Sequence, residues 1–467
     1  MSLTDTLSRV CDQLQTRLVE LAENLSSEGM NPRAFRELIS DLKASVDDAA
    51  LESLGAFIAS QEERSELIEH EGHKHRFKAS TEKNWLTPFG LLSVPRRYFQ
   101  QDRGGIGIVP LDNRCGMSHR YMTPDIEEAC AMGSALLVPR EIEAFLEKVL
   151  PYAPSATAVQ KVIEHVGGFA EKNADIIEEA IRTQAPLKAT GSVLAISWDG
   201  VTVPLREEGN KLGKPKERPG KDAPATCPTA WREAGVGTVS IYERGTATER
   251  PLRGDSRYFA RMPEQGMKTL TEQMEGFVEA LRAERDFEDV VVLCDGKPSI
   301  WKSAEAAVCY KGATFILDFY HAAEHLSKVA ETIFGKKSEK GKNWYSKYRS
   351  RMKEDEGGVQ AVIRSLRRYT LGARLGSERR EDLVRSLGYF TRNKNRMRYA
   401  EYRMRGLPIG SGPVEAACKT VVGARLKRSG MRWNREGGQR VLNMRVQYLS
   451  KRWKPFWRVY MADRLAA

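Results

Sequence analysis

Three acids stand where a chain could hold divalent cations: Asp199 in "SWDG", Asp295 in "LCDG" and Glu415 in "GSGPVE". Each aspartate closes an apolar run and is followed by glycine, which lets a chain leave a strand without a side-chain clash. Glu415 falls in the first turn of the helix opened by "GSGP", where the helix dipole favours an anion. Hard oxygen donors of this kind suit Mg²⁺, which keeps several of its waters and needs no histidine. Two such ions, about 3.5–4 Å apart, activate a water or a 3′-hydroxyl and stabilise the leaving oxygen of a phosphodiester. In that arrangement Asp199 is the acid expected to bridge both ions. A lone Asp-Gly at a strand end is more often a turn. Two of them on adjacent strands, with an acidic helix nearby, weigh the other way.

A second constellation competes. Residues 318–325 read "DFYHAAEH", and His321, Glu324 and His325 match H-x-x-E-H, a pattern of one class of zinc metallopeptidases. A zinc peptidase needs that motif well inside a helix and a third protein ligand elsewhere. Here the apolar run "ATFILDFYH", which reads as a strand, leads straight into it, and no other ligand cluster offers itself. The peptidase reading is set aside. Asp318, at the end of that run, is kept as a possible supplement to the three acids.

The elements that must position these residues follow from periodicity. Residues 1–72 read as helical, with apolar positions three or four apart. Residues 73–118 contain two extended runs about "TPFG", a hairpin signal. Helices return over 119–188, where "APSATAVQKVIEHVGG" reads as a capped helix with a glycine stop. That is the shape of the second half of a helix-turn-helix, or of any short capped helix. From 189 to 321 the order is strand, strand, strand, helix, strand, helix, strand. This is the order of an RNase H-like α/β domain, whose mixed sheet sets the first and fourth strands side by side and so brings "SWDG" against "LCDG". A Lys-, Gly- and Pro-rich loop, "REEGNKLGKPKERPGKDAPATCPT", interrupts it. Residues 322–405 read as a charged helical insertion. Residues 406–467 carry the Glu415 helix, running from Ser411 to Gly430, and a basic tail. The expected fold is therefore multidomain α+β: an RNase H-like core interrupted by helices and preceded by a helical and hairpin region that binds DNA.

Composition narrows the partners. The chain of 467 residues has a net charge of +12, and its basic residues crowd toward the end. Between Val421 and Arg458 Glu436 is the only acid, while Arg425, Lys427, Arg428 and Arg432 interleave with Trp433 and further aromatics. Such a stretch suits a nucleic acid, where cations displace counterions and aromatic faces pack on sugars or bases. Its plainer reading is a solvated helical face. No apolar run reaches the ~18–20 residues that span a bilayer. The start lacks the order of a signal peptide, and scattered cysteines without C-x-x-C fit a reducing cytoplasm.

Several stretches closely resemble a known family. "WDGVTVPLR", "VVVLCDGKPSIW", "ILDFYHAAEHL" and the long run "NRMRYAEYRMRGLPIGSGPVEAACKTVVGARLKRSGMRW" resemble the ISKra family of bacterial insertion-sequence transposases, DDE enzymes with an RNase H-like fold. The resemblance covers most of residues 75–458. It implies DNA transposition by Mg²⁺-dependent cleavage and strand transfer, with Mn²⁺ as a substitute, and the catalytic triad Asp199, Asp295 and Glu415. Asp318 and His321 look like the Asp/Cys-x-x-His signature of Mutator-like relatives, where the histidine contacts DNA or orients the site. The resemblance further implies double-stranded partners, namely terminal inverted repeats and target DNA, a dimer or larger synaptic assembly, and a place in the bacterial cytoplasm at the nucleoid. Many relatives carry a C-x-x-C-G zinc knuckle after the first hairpin. The equivalent stretch here, "RRYFQQDRGGIGIVPLD", has no cysteine, so end recognition is expected to rest on Arg96, Arg97 and the helices after Thr123. Two other functions share these features: a DNA-binding regulator derived from a transposase, and a nuclease that cuts without joining.

Overall fold

The computed structural model describes residues 2–101, 105, 107–118, 120–188, 190–206, 231–246, 249–372 and 376–466. The fold is mixed α+β with two sheets. The chain divides into two compact units, residues 1–173 with 454–467, and residues 174–453. The expected polar loop lies, from residue 207 onward, outside the described residues, as does Cys227. Among the described residues no helix is long and apolar enough to cross a membrane.

In the first unit α1 (Leu3–Glu28) packs on α2 (Pro32–Ser60), and the side chains of Ser2 and Asn31 accept hydrogen bonds from the N–H groups that open them. Helix was expected to residue 72, but α2 ends at Ser60 and β1 (Leu67–His70) pairs antiparallel with β2 (His73–Thr87). β2 and β3 (Gly90–Gln101) form the expected hairpin, with Thr87 opposite Gly90. The Thr87 hydroxyl closes it by donating to the Gly90 carbonyl at 2.8 Å. β4 (Gly107–Ile108) completes this sheet. Then come α3 (Pro110–Arg114), α4 (Pro124–Ser134), α5 (Pro139–Leu146) and α6 (Ala156–Lys172). Ser155 caps α6, but the helix does not stop at its glycines. Val162, Ile163, Val166 and Ala170 are all buried, so the apolar stripe continues past Gly167 and holds the helix together.

In the second unit α7 (Ala174–Gln184) leads into a sheet of β5 (Val193–Pro204), β6 (Trp231–Glu243), β7 (Leu252–Arg261), β8 (Asp289–Cys294) and β9 (Thr314–Leu317), with spatial order β7-β6-β5-β8-β9. The first three strands are antiparallel, and β8 and β9 are added parallel to β5. The first and fourth strands of this sheet are neighbours, as the element order predicts. α8 (Lys268–Glu284) and α9 (Pro298–Ala306) provide the crossovers. Leu194, Ile196, Val291 and Val292 are fully buried, the mark of central strands covered on both faces.

Two expectations fail here for physical reasons. The run "ATFILDFYH" is a strand only to Leu317. Asp318 caps α10 (Phe319–Phe334), its carboxylate accepting the His321 N–H at 2.7 Å, so capping overrides the apolar pattern. After α11 (Glu339–Glu354), α12 (Gly358–Gly372), α13 (Ser377–Asn393) and α14 (Tyr399–Met404) comes the second failure. The single helix expected between Ser411 and Gly430 is α15 (Gly412–Ala417), a π-helical segment Cys418–Gly423, and α16 (Ala424–Leu426). The Ser411 side chain makes no cap bond, and Gly430 stands beyond the helix end in a left-handed turn at φ 78°. α17 (Arg435–Leu449) follows.

Candidate functional site

The site begins where β5 and β8 part. Their ladder runs from Val193 opposite Asp289 to Ile196 opposite Val292. Carried past that last pair, the same register sets Asp199 opposite Asp295. β5 continues against β6, with Asp199 opposite Val236, while β8 stops at Cys294. The two aspartates thus flank a crevice outside the carboxyl end of a parallel strand, where open α/β sheets bind ligands. Burial, and then the negative charge of Asp199, hold the Asp295 carboxyl above its ordinary range; the Lys297 N–H, the Lys297 ammonium and His321 oppose that rise. Asp295 Oδ1 accepts that N–H at 3.0 Å, and Asp199 Oδ1 accepts the Gly200 N–H at 2.7 Å.

The two glycines avoid a side-chain clash, as expected, but β5 runs on to Pro204 and does not leave the sheet at Gly200. Neither has a left-handed backbone. A Cβ on Gly296 would stand 2.6 Å from the Tyr389 ring, and one on Gly200 would fall within the Glu233 side chain. The Tyr389 ring packs against Gly296, while the flexible end of the Glu233 side chain lies against Gly200.

Glu415 comes from α15, which packs against β5 and β6. It is exposed, and among the described residues its polar partner is the Ser411 hydroxyl at 3.4 Å. One turn along, the Cys418 thiol reports on the charges around it. Burial pushes it up to about 12, with Asp199, Glu415 and Glu233 adding to the rise and Lys297 opposing it. Asp199, Glu233 and Glu415 thus each act on this one thiol, in keeping with the packing of α15 on β5 and β6. The π-helical turn below Glu415 is held by Arg445 of α17, a side chain in a residue only 5% exposed. Its Nε donates to the Thr420 and Val421 carbonyls at 3.2 and 2.7 Å, supplying donors that the widened turn lacks. Among the described residues no three His, Cys, Asp or Glu side chains are gathered into a ready-made metal cage.

Asp318 is fully buried, and both its oxygens are used: one accepts the His321 N–H and the other the Ser411 N–H. It ties the start of α10 to the loop that launches α15, so it aligns the Glu415 helix with the sheet. His321 stands at the edge of His325 with ring centroids 5.4 Å apart, and His325 stacks on Tyr389 at 4.0 Å. Burial first, then the charge of His321, lowers His325 below the usual imidazole range. The Tyr389 hydroxyl is buried and finds no partner among the described residues. Glu324 is exposed.

Two residues at the site were missed. The Lys297 ammonium lies 2.7 Å from Glu233 Oε1 and 3.6 Å from Asp199 Oδ1. Lys297 could have been noticed in "LCDGKP". Glu233 carries no sequence signal, because the long segment 207–230 separates it from Asp199 and only strand pairing reunites them.

The expected DNA-contacting cations divide. Lys427, Arg428 and Arg432 are exposed. Arg425 is 1% exposed, with its guanidinium over the Trp433 ring at 5.2 Å. So enclosed a side chain presents nothing to a phosphate; the sequence pattern could not tell it from its neighbours. Arg96 and Arg97 are also structural ties. Arg96 pairs with Asp112, while Arg97 pairs with Glu66, bonds the Glu63 and Ser65 carbonyls and lies 3.9 Å over the Phe77 ring. The basic stretch is not one surface either: Arg445 and Arg452 are buried, and the stretch is split between the units after Trp453.

Residues 241–454 match an uncharacterised protein family, UPF0236. The match takes in Asp295, Asp318, His321 and Glu415 and begins after Asp199. No curated protein matches the chain.

Proposed function

We propose that the protein is a DDE transposase with an RNase H-like core, which cleaves insertion-sequence ends and joins them to target DNA. What supports the reading is the β5–β8 register, which extended three residues beyond its last pair, Ile196 opposite Val292, would align Asp199 with Asp295, together with α15, which carries Glu415 in its first turn and packs on β5 and β6. The donor chemistry fits Mg²⁺: the acids are hard oxygen ligands, and no arginine pairs with them among the described residues. Asp199, Asp295 and Glu415 would hold the ions, which when bound activate the attacking hydroxyl and stabilise the leaving oxygen. The chain's own residues do the positioning. Asp318 and Arg445 fix α15 and the turn below it, and the charge of His321 works against the raised Asp295 carboxyl. The exposed Lys427, Arg428 and Arg432 would bind phosphates, a role without base specificity. A second copy is expected, since two element ends must be held together.

The test is a strand-transfer assay with Mg²⁺ and DNA carrying the element's own ends. Joined product supports transposition, nicking alone a nuclease, and binding alone a regulator. Asp295→Ala is expected to retain end binding and to lose cleavage by about 10³-fold or more, the scale of several kcal/mol of charge stabilisation. Equal loss of binding and cleavage in a folded variant would remove Asp295 from the site.

A further inference from the structure

The carboxylate crevice contains its own cation. Lys297 touches three acids from three places in the fold: its N–H is bonded to Asp295, and its ammonium reaches Glu233 on β6 and Asp199 on β5. Glu233 is opposite Thr202 in the β5–β6 ladder, and its side chain occupies the space that a Cβ on Gly200 would fill. Like charges brought this close repel, and a neighbouring cation relieves them. Lys297 and Glu233 remain 40% and 46% exposed in their side chains, so the pair can open at little cost.

We infer that Lys297 and Glu233 form a counterion latch: the Lys297 ammonium balances Asp199 until a divalent cation displaces it, and is then released to bind a phosphate group of the nucleic acid. The inference rests on the reading of Asp199 and Asp295 as cation ligands. Its second half comes from the cleft that Lys297 lines. This opening of about 490 Å³ is bounded also by Glu233, Arg232, Arg435, Ser299 and Ser303. Lys297 lines that cleft together with Arg232 and Arg435, which with the released ammonium outnumber the lining acids Glu233 and Glu264 and suit an incoming anion.

Competition of this kind is measurable without turnover. Mn²⁺ titrated calorimetrically into the full chain should bind Lys297→Met about three- to tenfold more tightly than wild type, the range expected from losing a partly exposed competing charge. Lys297→Gln should behave alike, and Lys297→Arg should stay near wild type. Glu233→Gln unlatches the ammonium and should shift the affinity less. Binding of a 30-base-pair duplex provides the other readout. In chelator the dependence of log K on log salt should be the same for wild type and Lys297→Met. In Mn²⁺ the wild-type slope should be steeper by about one, the increment of one phosphate contact. Unchanged Mn²⁺ affinity in a folded Lys297→Met, or slopes that agree in both conditions, overturns the latch. Asp199→Ala separates the two levels. If wild type binds Mn²⁺ and Asp199→Ala does not, the cation site stands whatever Lys297 does; if both bind alike or neither binds, the cation reading itself fails.

Discussion

Buried or crowded acids of the first unit and those at the crevice of the second are treated in opposite ways. Glu127, in the first unit, is 3% exposed and fully subscribed. Its Oε1 accepts the Tyr460 hydroxyl at 2.8 Å and pairs with Arg120 at 3.2 Å, and its Oε2 takes Arg464. Asp112 in the same unit takes Lys83 and Arg96. In the second unit Asp199 and Glu233 share one ammonium, that of Lys297, while Asp295 accepts the Lys297 backbone N–H and Glu415 has the Ser411 hydroxyl as its polar partner among the described residues. The difference teaches how to tell an acid that folds the protein from one that serves it. A structural carboxylate comes with its donors in place, arginines for Glu127 and Asp112 and backbone N–H groups for Asp318, because burying an unpaired charge is costly. An acid left short of cations makes sense where a cation is to arrive.

Breaking a matched acid should have the largest effect. Arg464→Met takes the partner from Glu127 Oε2 and leaves Arg120 and Tyr460 on Oε1; it is expected to cost about 3 kcal/mol, the lower end for breaking a buried pair, seen as a lower urea midpoint for the first unit with Mn²⁺ affinity unchanged. A smaller loss is expected from Asp318→Asn. Asparagine can keep one accepted N–H but turns a donor toward the other, at roughly 1–3 kcal/mol. Faster amide exchange at the start of α10 and at Ser411 would place the damage, and slowed cleavage without weaker DNA binding would mark Asp318 as a positioning residue.

The smallest expected effect has the opposite sign and sharpens the contrast most. Asp295 has a folded pKa raised above the ordinary 3.8, chiefly by burial. The folded state therefore holds this proton more tightly than the unfolded chain, and stability falls as pH rises from about that value through the raised one. At pH 7 without metal the ionised group is a burden. Asp295→Asn should raise the melting temperature in chelator at pH 7, and its advantage should shrink as pH falls toward 3.8. A lower melting temperature at pH 7 would class Asp295 with Glu127.

Local chemistry made much of this legible. Central strands were readable because both faces of β5 and β8 are covered, which forces continuous apolar runs. The hairpin was readable because "TPFG" has the chemistry of a turn. Asp199 and Asp295 stood out because each interrupts such a run with a charge. Surface and interior arginines look alike in sequence, since a guanidinium can be neutralised by a partner far along the chain. Arg97, paired with Glu66, shows this; Arg425 turns inward against Trp433 instead, which the basic pattern of its neighbours does not reveal. The π-helical turn was invisible because Arg445, which holds it, lies on another helix.

By itself the sequence determined the order of the elements and where its acids interrupt apolar strands, because periodicity and propensity act over a few residues. Only the tertiary structure decided which charges meet: that Lys297 and Glu233 close on Asp199, that Asp318 binds the loop before Glu415, and that Arg425 turns inward. Those outcomes depend on strand register and helix packing between distant segments, where ångströms decide whether a charge is paired, shared or left for a ligand.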